Sequence, residues 1–530
     1  MKPFVAPLDD ILFSLNHVAG ATALAAWDTE FAAEIGGHFA SFAEGEIAPL
    51  NATGDLEGCQ LVDGRVVMPK GFKELYQSYS EQGWPGLNMS EDYDGQGMDT
   101  MMLAITSEIF SGANQSLQMV TSLVTGAART ILKFGTDEQK TRLIPSLASG
   151  ETLATMCLTE PGAGSDLGRV RCRATESGDN WKITGEKIFI SGGDQDMSAR
   201  ILHLVLARTS DDGIKGLSLF LCPCTREDGS RNAVSVTRIE EKMGLHASPT
   251  CQLAFDDADA ELIGEQGRGL AAMFTMMNHA RGDVALQGVA HAARAHDIAS
   301  DYAAERVQGR NADGSPATLN QHADVRRILD EIDAAALGSR AMTHLAFVQM
   351  ERGDNPAFVE FLTPIIKVYC TEAGMRGAEM GMQVLGGYGY LQEYLLDQTY
   401  RDIRISAIYE GANAIHERGL ATRLLGGASG DAFDTFLADE LDGAKGVGNI
   451  AQCAELWRTA RAALLATDDA SPHAHHFMAL TAQTLLNCLW VRTLAVADQH
   501  PDTARITRIA NAQLKANLHQ ARLHAAFLAD

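Results

Sequence analysis

Apolar positions recur along the chain with two different periods, and the switches between them divide it. Leu8, Leu12, Leu15 and Ala19 fall at helical spacing, which predicts a short docking helix within the first 35 residues. A mostly helical stretch continues to about residue 150. Within it, Thr136-Asp137-Glu138-Gln139 predicts a capping box opening the helix DEQKTRLIPSLAS, whereas 83–95 (GWPGLNMSEDYDG) is turn-rich. From about 153 to 262, short runs of β-formers recur between turns: WKITGEKIFIS, ILHLVLAR, GLSLFLCP, AVSVTRI and CQLAF. These predict an antiparallel β domain. Helical spacing returns at Gly267, with helices over about 269–308, 320–352, 359–386 and 411–425. Long helices on short loops predict a bundle. The run GASGD at 427–431 reads as a linker, and 445–530 as further Ala/Leu-rich helix. The divisions are therefore an N-terminal extension helix (1–35), a helical domain (36–152), a β-barrel-like middle domain (153–266), a helical bundle (267–428) and an additional C-terminal helical domain (429–530). The fold class is α+β, mostly α.

A length of 530 residues independently implies about three or four domains. The net charge of -25 excludes a nucleic-acid partner and repels an anionic membrane surface. The opening MKPFVAPLDDILFSLNHV lacks the basic region and apolar run of a signal peptide. No apolar run approaches the roughly 20 residues that span a bilayer. Nine scattered cysteines fit reduced thiols. The expectation is a cytoplasmic protein with no membrane partner. Cys222 and Cys224 form a C-x-C without a second pair or a nearby histidine, and read as structural thiols rather than zinc ligands. His473, His475 and His476 read as a solvated loop or helix start. No metal is expected.

Five constellations carry candidate chemistry. In Leu158–Asp166 (LTEPGAGSD), Thr159 and Ser165 bracket a glycine-rich loop that can present N–H groups and hydroxyls to a phosphate or a ring carbonyl. It reads equally as a tight turn. Phe189 and Ser191, two apart at a strand end, can cover a flat ring or simply close a hairpin. Arg281 shares a helical stripe with Leu270, Phe274 and Met277, so either an internal carboxylate or an incoming anion must satisfy it. The run Gln383–Tyr390 (QVLGGYGY) ends a helix at paired glycines, either as a plain C-cap or to let another molecule approach the backbone. Finally, Glu410 falls at an interhelix turn among apolar neighbours. Burial there raises a carboxylate's pKa as a general base requires, although a helix-capping glutamate is the plainer reading.

Taken together, MCLTEPGAGSDLG, KIFISGG, YAAERVQGR, QVLGGYGY and RDIRISAIYEGANAI resemble, in order and spacing, the motifs of the acyl-CoA dehydrogenase family over roughly residues 65–425. The opening FVAPLDDILFSLNHV, IEEKMGLHASPTC and MFTMMNHARGDVALQGVA are similar to its longer bacterial branch, which includes the methylthiopropanoyl-CoA dehydrogenases. The resemblance implies an N-terminal helical domain, a β domain and a four-helix C-terminal bundle, assembled as a homodimer or homotetramer. It implies FAD, an acyl-CoA substrate and an electron-transfer flavoprotein as electron acceptor. Carried over, Glu410 is the catalytic base. Met156, Leu158, Thr159, Gly164, Ser165, Phe189, Ser191, Arg306, Gln308, Gln383, Gly386 and Gly387 are FAD contacts, some of them to the FAD of a neighbouring subunit. Ser165, Asn278, Arg281, Tyr409 and Gly411 face the CoA substrate.

The chain departs from the family pattern where Ala412 stands after Glu-Gly in place of Thr, where Ala414 replaces Gln or Gly, and where Gly309 follows Gln308 in place of an aromatic-Gly pair. Asp283 lies two residues from the arginine expected at CoA. Ala412 and Ala414 keep a non-catalytic homologue in view, and an oxygen-using flavoenzyme (oxidase or monooxygenase) on the same fold is the other alternative.

Overall fold

The computed structural model describes residues 3–226, 228–443 and 449–529, so the helical stretch expected from 445 is described from Asn449 onward. In chain order the elements begin with α1 (Leu8–Phe13), α2 (Thr29–Phe42), α3 (Asn51–Glu57), β1 (Gln60–Val62), β2 (Arg65–Val67) and α4 (Phe72–Glu81). Then come α5 (Thr100–Thr121), α6 (Leu123–Phe134) and α7 (Asp137–Ala148). Seven strands follow: β3 (Thr152–Cys157), β4 (Arg173–Ser177), β5 (Asn180–Ser191), β6 (Arg200–Arg208), β7 (Leu217–Pro223), β8 (Val234–Ile239) and β9 (Thr250–Ile263). The rest is α8 (Gly269–Glu305), the hairpin β10 (Val307–Arg310) and β11 (Pro316–Thr318), then α9 (Ala323–Arg352), α10 (Pro356–Leu385), α11 (Leu396–Ile403) and α12 (Asn413–Gly419). Four last helices are α13 (Gly427–Gly443), α14 (Asn449–Leu465), α15 (Ala474–Ala495) and α16 (Thr503–Ala526).

Two compact units cut across these segments. One comprises Gly45–Asp99 and Ala113–Ala280 and holds the sheet. β6 and β7 are buried almost end to end, as their uninterrupted apolar runs require, whereas β4 and β8 alternate with solvent. β5 pairs β4 and β9, β9 pairs β7 and β8, and β7 pairs β6, all antiparallel; β6 also meets β4, which closes the ring. The antiparallel expectation needs one correction: β3 runs parallel to β6, from Thr152↔Arg200 to Cys157↔Val205, and the β4–β6 contact is parallel too. Side-chain alternation reports which face is buried, not strand direction, so this was invisible in the pattern. The predicted capping box forms in both halves at Thr136 and Gln139, and Gln139 Nε2 donates to Leu262 O at 3.1 Å, docking α7 on β9.

The other unit comprises Met1–Glu44, Thr100–Gly112 and Arg281–Asp530. The predicted docking helix forms: Leu15 and Ala19 of its stripe are buried, with Ile11, Phe13 and Val18 beside them, while Leu8 and Leu12 are only half-buried. A wider π-helical turn at Ser14–Val18 rotates the stripe away from the regular spacing. α9 and α10 are joined by three residues and pack as neighbours. One hydrophobic core runs from Phe13 and Val18 through Leu345 and Phe361 to Trp457, Phe477 and Leu489, so the last four helices share it with the bundle. Phe361 stacks on Phe433 (4.9 Å between centroids), and Phe433 meets Trp457 edge-on at 4.9 Å. The expected linker at 427–431 is instead the first turn of α13. Its small residues serve close packing: a Cβ at Gly430 would lie 2.1 Å from Leu425 O, and Ser429 Oγ donates to Glu360 Oε2 at 2.9 Å.

Candidate active site

Two of the residues singled out in the sequence hold backbone conformations that side chains disfavour. Phe189 has φ +59° and Glu410 φ +54°, both left-handed. Such geometry persists only where surrounding contacts enforce it, and it concentrates at functional positions.

Phe189 sits on an irregularity of β5. Lys187 pairs with Leu253 and Ile190 with Cys251, so β5 carries one extra residue. This bulge replaces the regular strand end expected at Phe189 and Ser191. It leaves the Phe189 ring 59% exposed and Ser191 half-buried. The neighbouring loop is braced from below. Lys187, with no exposed side-chain surface, bonds Glu160 Oε1 at 2.8 Å and Leu158 O at 3.0 Å. Glu160 in turn accepts from Arg171 N (2.6 Å) and Cys172 N (3.0 Å), and Ile188 N donates to Thr159 O at 2.9 Å. Leu158, Thr159, Gly164, Ser165, Phe189 and Ser191 are thus held on one braced loop and bulge, with Met156 half-buried on β3. The Lys187–Glu160 pair was missed from the sequence; a lysine inside the β-run GEKIFIS was its signal.

A second group gathers at a groove of about 470 Å³ lined by Tyr302, Arg306, Gln308, Gly386, Gly387 and Tyr388 among others. The Arg306 guanidinium lies 5.6 Å over the Tyr388 ring, and a Cβ on Gly386 or Gly387 would meet nothing within 4 Å. Gln383 is exposed one turn earlier on α10. Bare glycine backbone, an amide, a guanidinium and aromatic faces form a cradle that fits a flat, phosphate-bearing cofactor such as FAD.

The third group surrounds Glu410, which precedes α12. Its Oε2 is buried and has no hydrogen-bond partner among the described residues. Burial pushes this carboxyl up to about 7, against the opposing charges of Arg281 and Lys367. Three donors from three helices fix the main chain here. Arg281 Nε (α8) donates to Glu410 O at 3.3 Å, His416 Nε2 (α12) to the same oxygen at 3.1 Å, and Lys367 Nζ (α10) to Gly411 O at 2.7 Å. Burial holds His416 down at about 4, so its ring is neutral and Nε2–H is the donor. Gly411 continues the left-handed turn at φ +94°, where a Cβ would fall 2.7 Å from His416 Nε2; only glycine fits. The Tyr409 hydroxyl donates to Gln287 Oε1. Ala412, at the N-cap of α12, makes no side-chain cap, as its missing hydroxyl dictates.

Arg281 therefore faces the Glu410 turn. Its expected apolar stripe is buried only at Met277: Phe274 is exposed and Leu270 half-buried. Asn278 is exposed on the same helix. Asp283 points elsewhere, accepting from the Ser107 hydroxyl. Lys367, donating also to Asn413 Oδ1 at 2.8 Å, was missed, although a lysine in the apolar run TPIIKVYC announces itself.

The other sequence candidates resolve without catalysis. Contrary to expectation, a histidine does lie near the C-x-C: His203 Nε2 is 2.8 Å from Cys224 Sγ. Burial lowers that imidazole to about 4 and raises that thiol to about 12, so both are neutral. His475 pairs with Glu417 (3.0 Å) and His476 with His524 (3.1 Å). Among the described residues there is no cluster of three or more metal-binding side chains, and no helix long and apolar enough to cross a membrane.

Comparison with known proteins places the whole chain. The N-terminal, middle and C-terminal domains of acyl-CoA dehydrogenases match residues 29–151, 155–258 and 267–425. The 3-methylmercaptopropionyl-CoA dehydrogenase of Ruegeria pomeroyi is 37% identical over 493 residues, covering 87% of this chain and 84% of that protein. The butyryl-CoA dehydrogenase structure from Megasphaera elsdenii superposes with a TM-score of 0.66 at 26% identity, covering 77% of this chain and 100% of that one. An acyl-CoA dehydrogenase from Bacillus anthracis, complexed with FAD, shares the fold over 95% of this chain and 88% of its own, with a TM-score of 0.80 at 21% identity. The chain belongs to the acyl-CoA dehydrogenase family of FAD-dependent oxidoreductases.

Proposed function

We propose that the protein dehydrogenates an acyl-CoA thioester between Cα and Cβ to a trans-2-enoyl-CoA, with Glu410 as the general base. The observation that carries this reading is the Glu410 carboxylate: desolvated, without a hydrogen-bond partner for Oε2 among the described residues, on a left-handed turn pinned by three helices. A thioester α-proton is weakly acidic, so its removal needs a base whose pKa lies near the working pH. Glu410, at about 7, meets that condition. The proton passes to its carboxylate as the Cα–Cβ double bond forms. FAD, when bound, supplies the two-electron acceptor for the β-hydrogen, which leaves as hydride. The Glu410 N–H, oriented by the pinned turn, stabilises negative charge on the thioester oxygen.

In this reading Met156, Leu158, Thr159, Gly164, Ser165, Phe189 and Ser191 contribute flavin contacts. The groove of Arg306, Gln308, Gly386 and Gly387, with Gln383, contributes contacts to the FAD of a neighbouring subunit in a homodimer or homotetramer. Ser165, Asn278, Arg281, Tyr409 and Gly411 serve the CoA ester. The relative from Ruegeria pomeroyi supports a short or 3-methylthiopropanoyl acyl group. As the family resemblance implies, electrons pass on to an electron-transfer flavoprotein.

The test is anaerobic bleaching of the purified yellow protein by a panel of short, branched, aromatic and methylthio acyl-CoAs. Glu410→Gln is expected to bind ligand yet lose about 10²–10⁴-fold in turnover. Full turnover by this variant removes Glu410 as the base, and peroxide release in air without an added acceptor points to an oxidase instead.

A further inference from the structure

The costliest member of the Glu410 group is Lys367. Its side chain has no exposed surface, and it sits in α10 between Ile366 and Val368, both buried. A lysine seldom occupies such a place, because leaving water costs an ammonium several kcal/mol (roughly) unless partners compensate. Fold stability alone favours a residue of similar length without charge, such as methionine. What the ammonium touches is specific: Gly411 O at 2.7 Å and Asn413 Oδ1 at 2.8 Å, one and three residues beyond Glu410. Asn413 is itself held from α10, its Nδ2 donating to Thr371 Oγ1 at 3.2 Å and Glu372 Oε1 at 3.2 Å. The lysine thus spans from one long helix to the strained turn that carries the base.

We propose that Lys367 is a positioning residue for Glu410, tying the Glu410–Gly411 turn to α10 and placing an ammonium beside the base. The inference rests on Glu410 being that base. The charged neighbours of Glu410 are Arg281 from α8 and Lys367 from α10, with the neutral His416 from α12 on its carbonyl. Those of Lys367 are Glu410, Arg281 and Glu372. Burial draws Lys367 down to about 7, and Glu410 and Glu372 oppose that fall. Ionised Glu410 and charged Lys367 therefore favour each other, so the base and its tether titrate together.

The experiment uses FAD-loaded enzyme and the best acyl-CoA of the panel. Lys367→Gln removes the charge and keeps an N–H donor for Gly411 O; Lys367→Met removes both. Two readouts are followed against pH: kcat/KM, and the infrared carboxyl band absent from Glu410→Gln. In Lys367→Gln the acid limb and the band midpoint are expected to move up together by about one unit, with activity at pH 7 falling about fivefold and recovering at higher pH. Lys367→Met is expected to lose kcat at every pH besides, with KM changed far less. An unmoved band and acid limb in either variant overturn the inference, even where activity falls. Where neither variant folds, ¹⁵N titration of Lys367 in Glu410→Gln reads the same coupling, and an unchanged Lys367 midpoint overturns it. Because the band reports ionisation independently of turnover, an active Glu410→Gln enzyme refutes the base without deciding the tether.

Discussion

Glu410 and Gly411 take left-handed backbone angles in succession, and main-chain oxygens of both accept from side chains on three helices. A carboxylate held this way can take a proton only when ionised. Its pKa is raised by burial to about 7, so the acid limb of kcat/KM in the free enzyme is expected near pH 7, with activity rising as pH increases through it. A pH profile from 5 to 9 checks this, and an acid limb near the ordinary carboxylate value would mean that Glu410 is solvated. At this scale the sequence was partly legible. Apolar neighbours and the motif order pointed to Glu410, whereas Arg281 of α8 lies 129 residues from it and Lys367 of α10 lies 44 residues from Gly411. Lys367 was readable as an anomaly in an apolar run, but nothing local says which carbonyl it meets.

Among elements, the braced loop after β3 is where local pattern and tertiary pairing divide. The strands were legible as β-rich runs because burial of one or both faces writes itself into composition. The bulge at Phe189 was not, since an extra residue shows only against the partner strand, and neither was the parallel β3–β6 ladder. Lys187 and Glu160 form the ion pair beneath the loop, with the lysine fully buried and the carboxylate 6% exposed. Removing one partner leaves the other charge buried alone. Lys187→Met is expected to destabilise the protein by about 3–5 kcal/mol. Glu160→Gln keeps a single carbonyl oxygen where Arg171 N and Cys172 N now use two, and it strands the Lys187 ammonium, so it is expected to cost at least as much. Urea midpoints of the two variants give the comparison, and a wild-type midpoint in Lys187→Met would show that the backbone bonds, not the charge, carry the brace.

Across the whole molecule, the C-terminal helices are tied to the N-terminal segment by charge as well as by apolar packing. Asp10 accepts from His500 at 2.9 Å and from Arg505 at 2.9 and 3.0 Å. Arg505 also pairs with Asp333 at 2.6 Å, and buried Arg340 grips Glu108 at 2.7 Å. Burial pushes the Asp10 carboxyl up, but the His500 hydrogen bond and the Arg340 and Arg505 charges outweigh it and hold Asp10 well below the usual carboxylate range. A depressed carboxylate stabilises the fold above its unfolded pKa, and that contribution is lost as pH falls below about 4. Asp10→Asn is therefore expected to lower the melting temperature at pH 7 and to narrow its gap to the wild type as pH drops through that range. A constant gap would show that Asp10 acts by shape rather than charge. None of this network was legible, because its partners lie up to 495 residues apart.

That separation bears on the order of synthesis. Asp10 leaves the ribosome almost five hundred residues ahead of Arg505 and His500, at about 5–20 residues per second. For roughly half a minute or more Phe13 and Val18 wait without the C-terminal helices that complete their shared core. The nascent chain must shield that apolar face in the interval, by a chaperone or by provisional contacts within itself. Joining the two ends in a permuted chain would remove the wait.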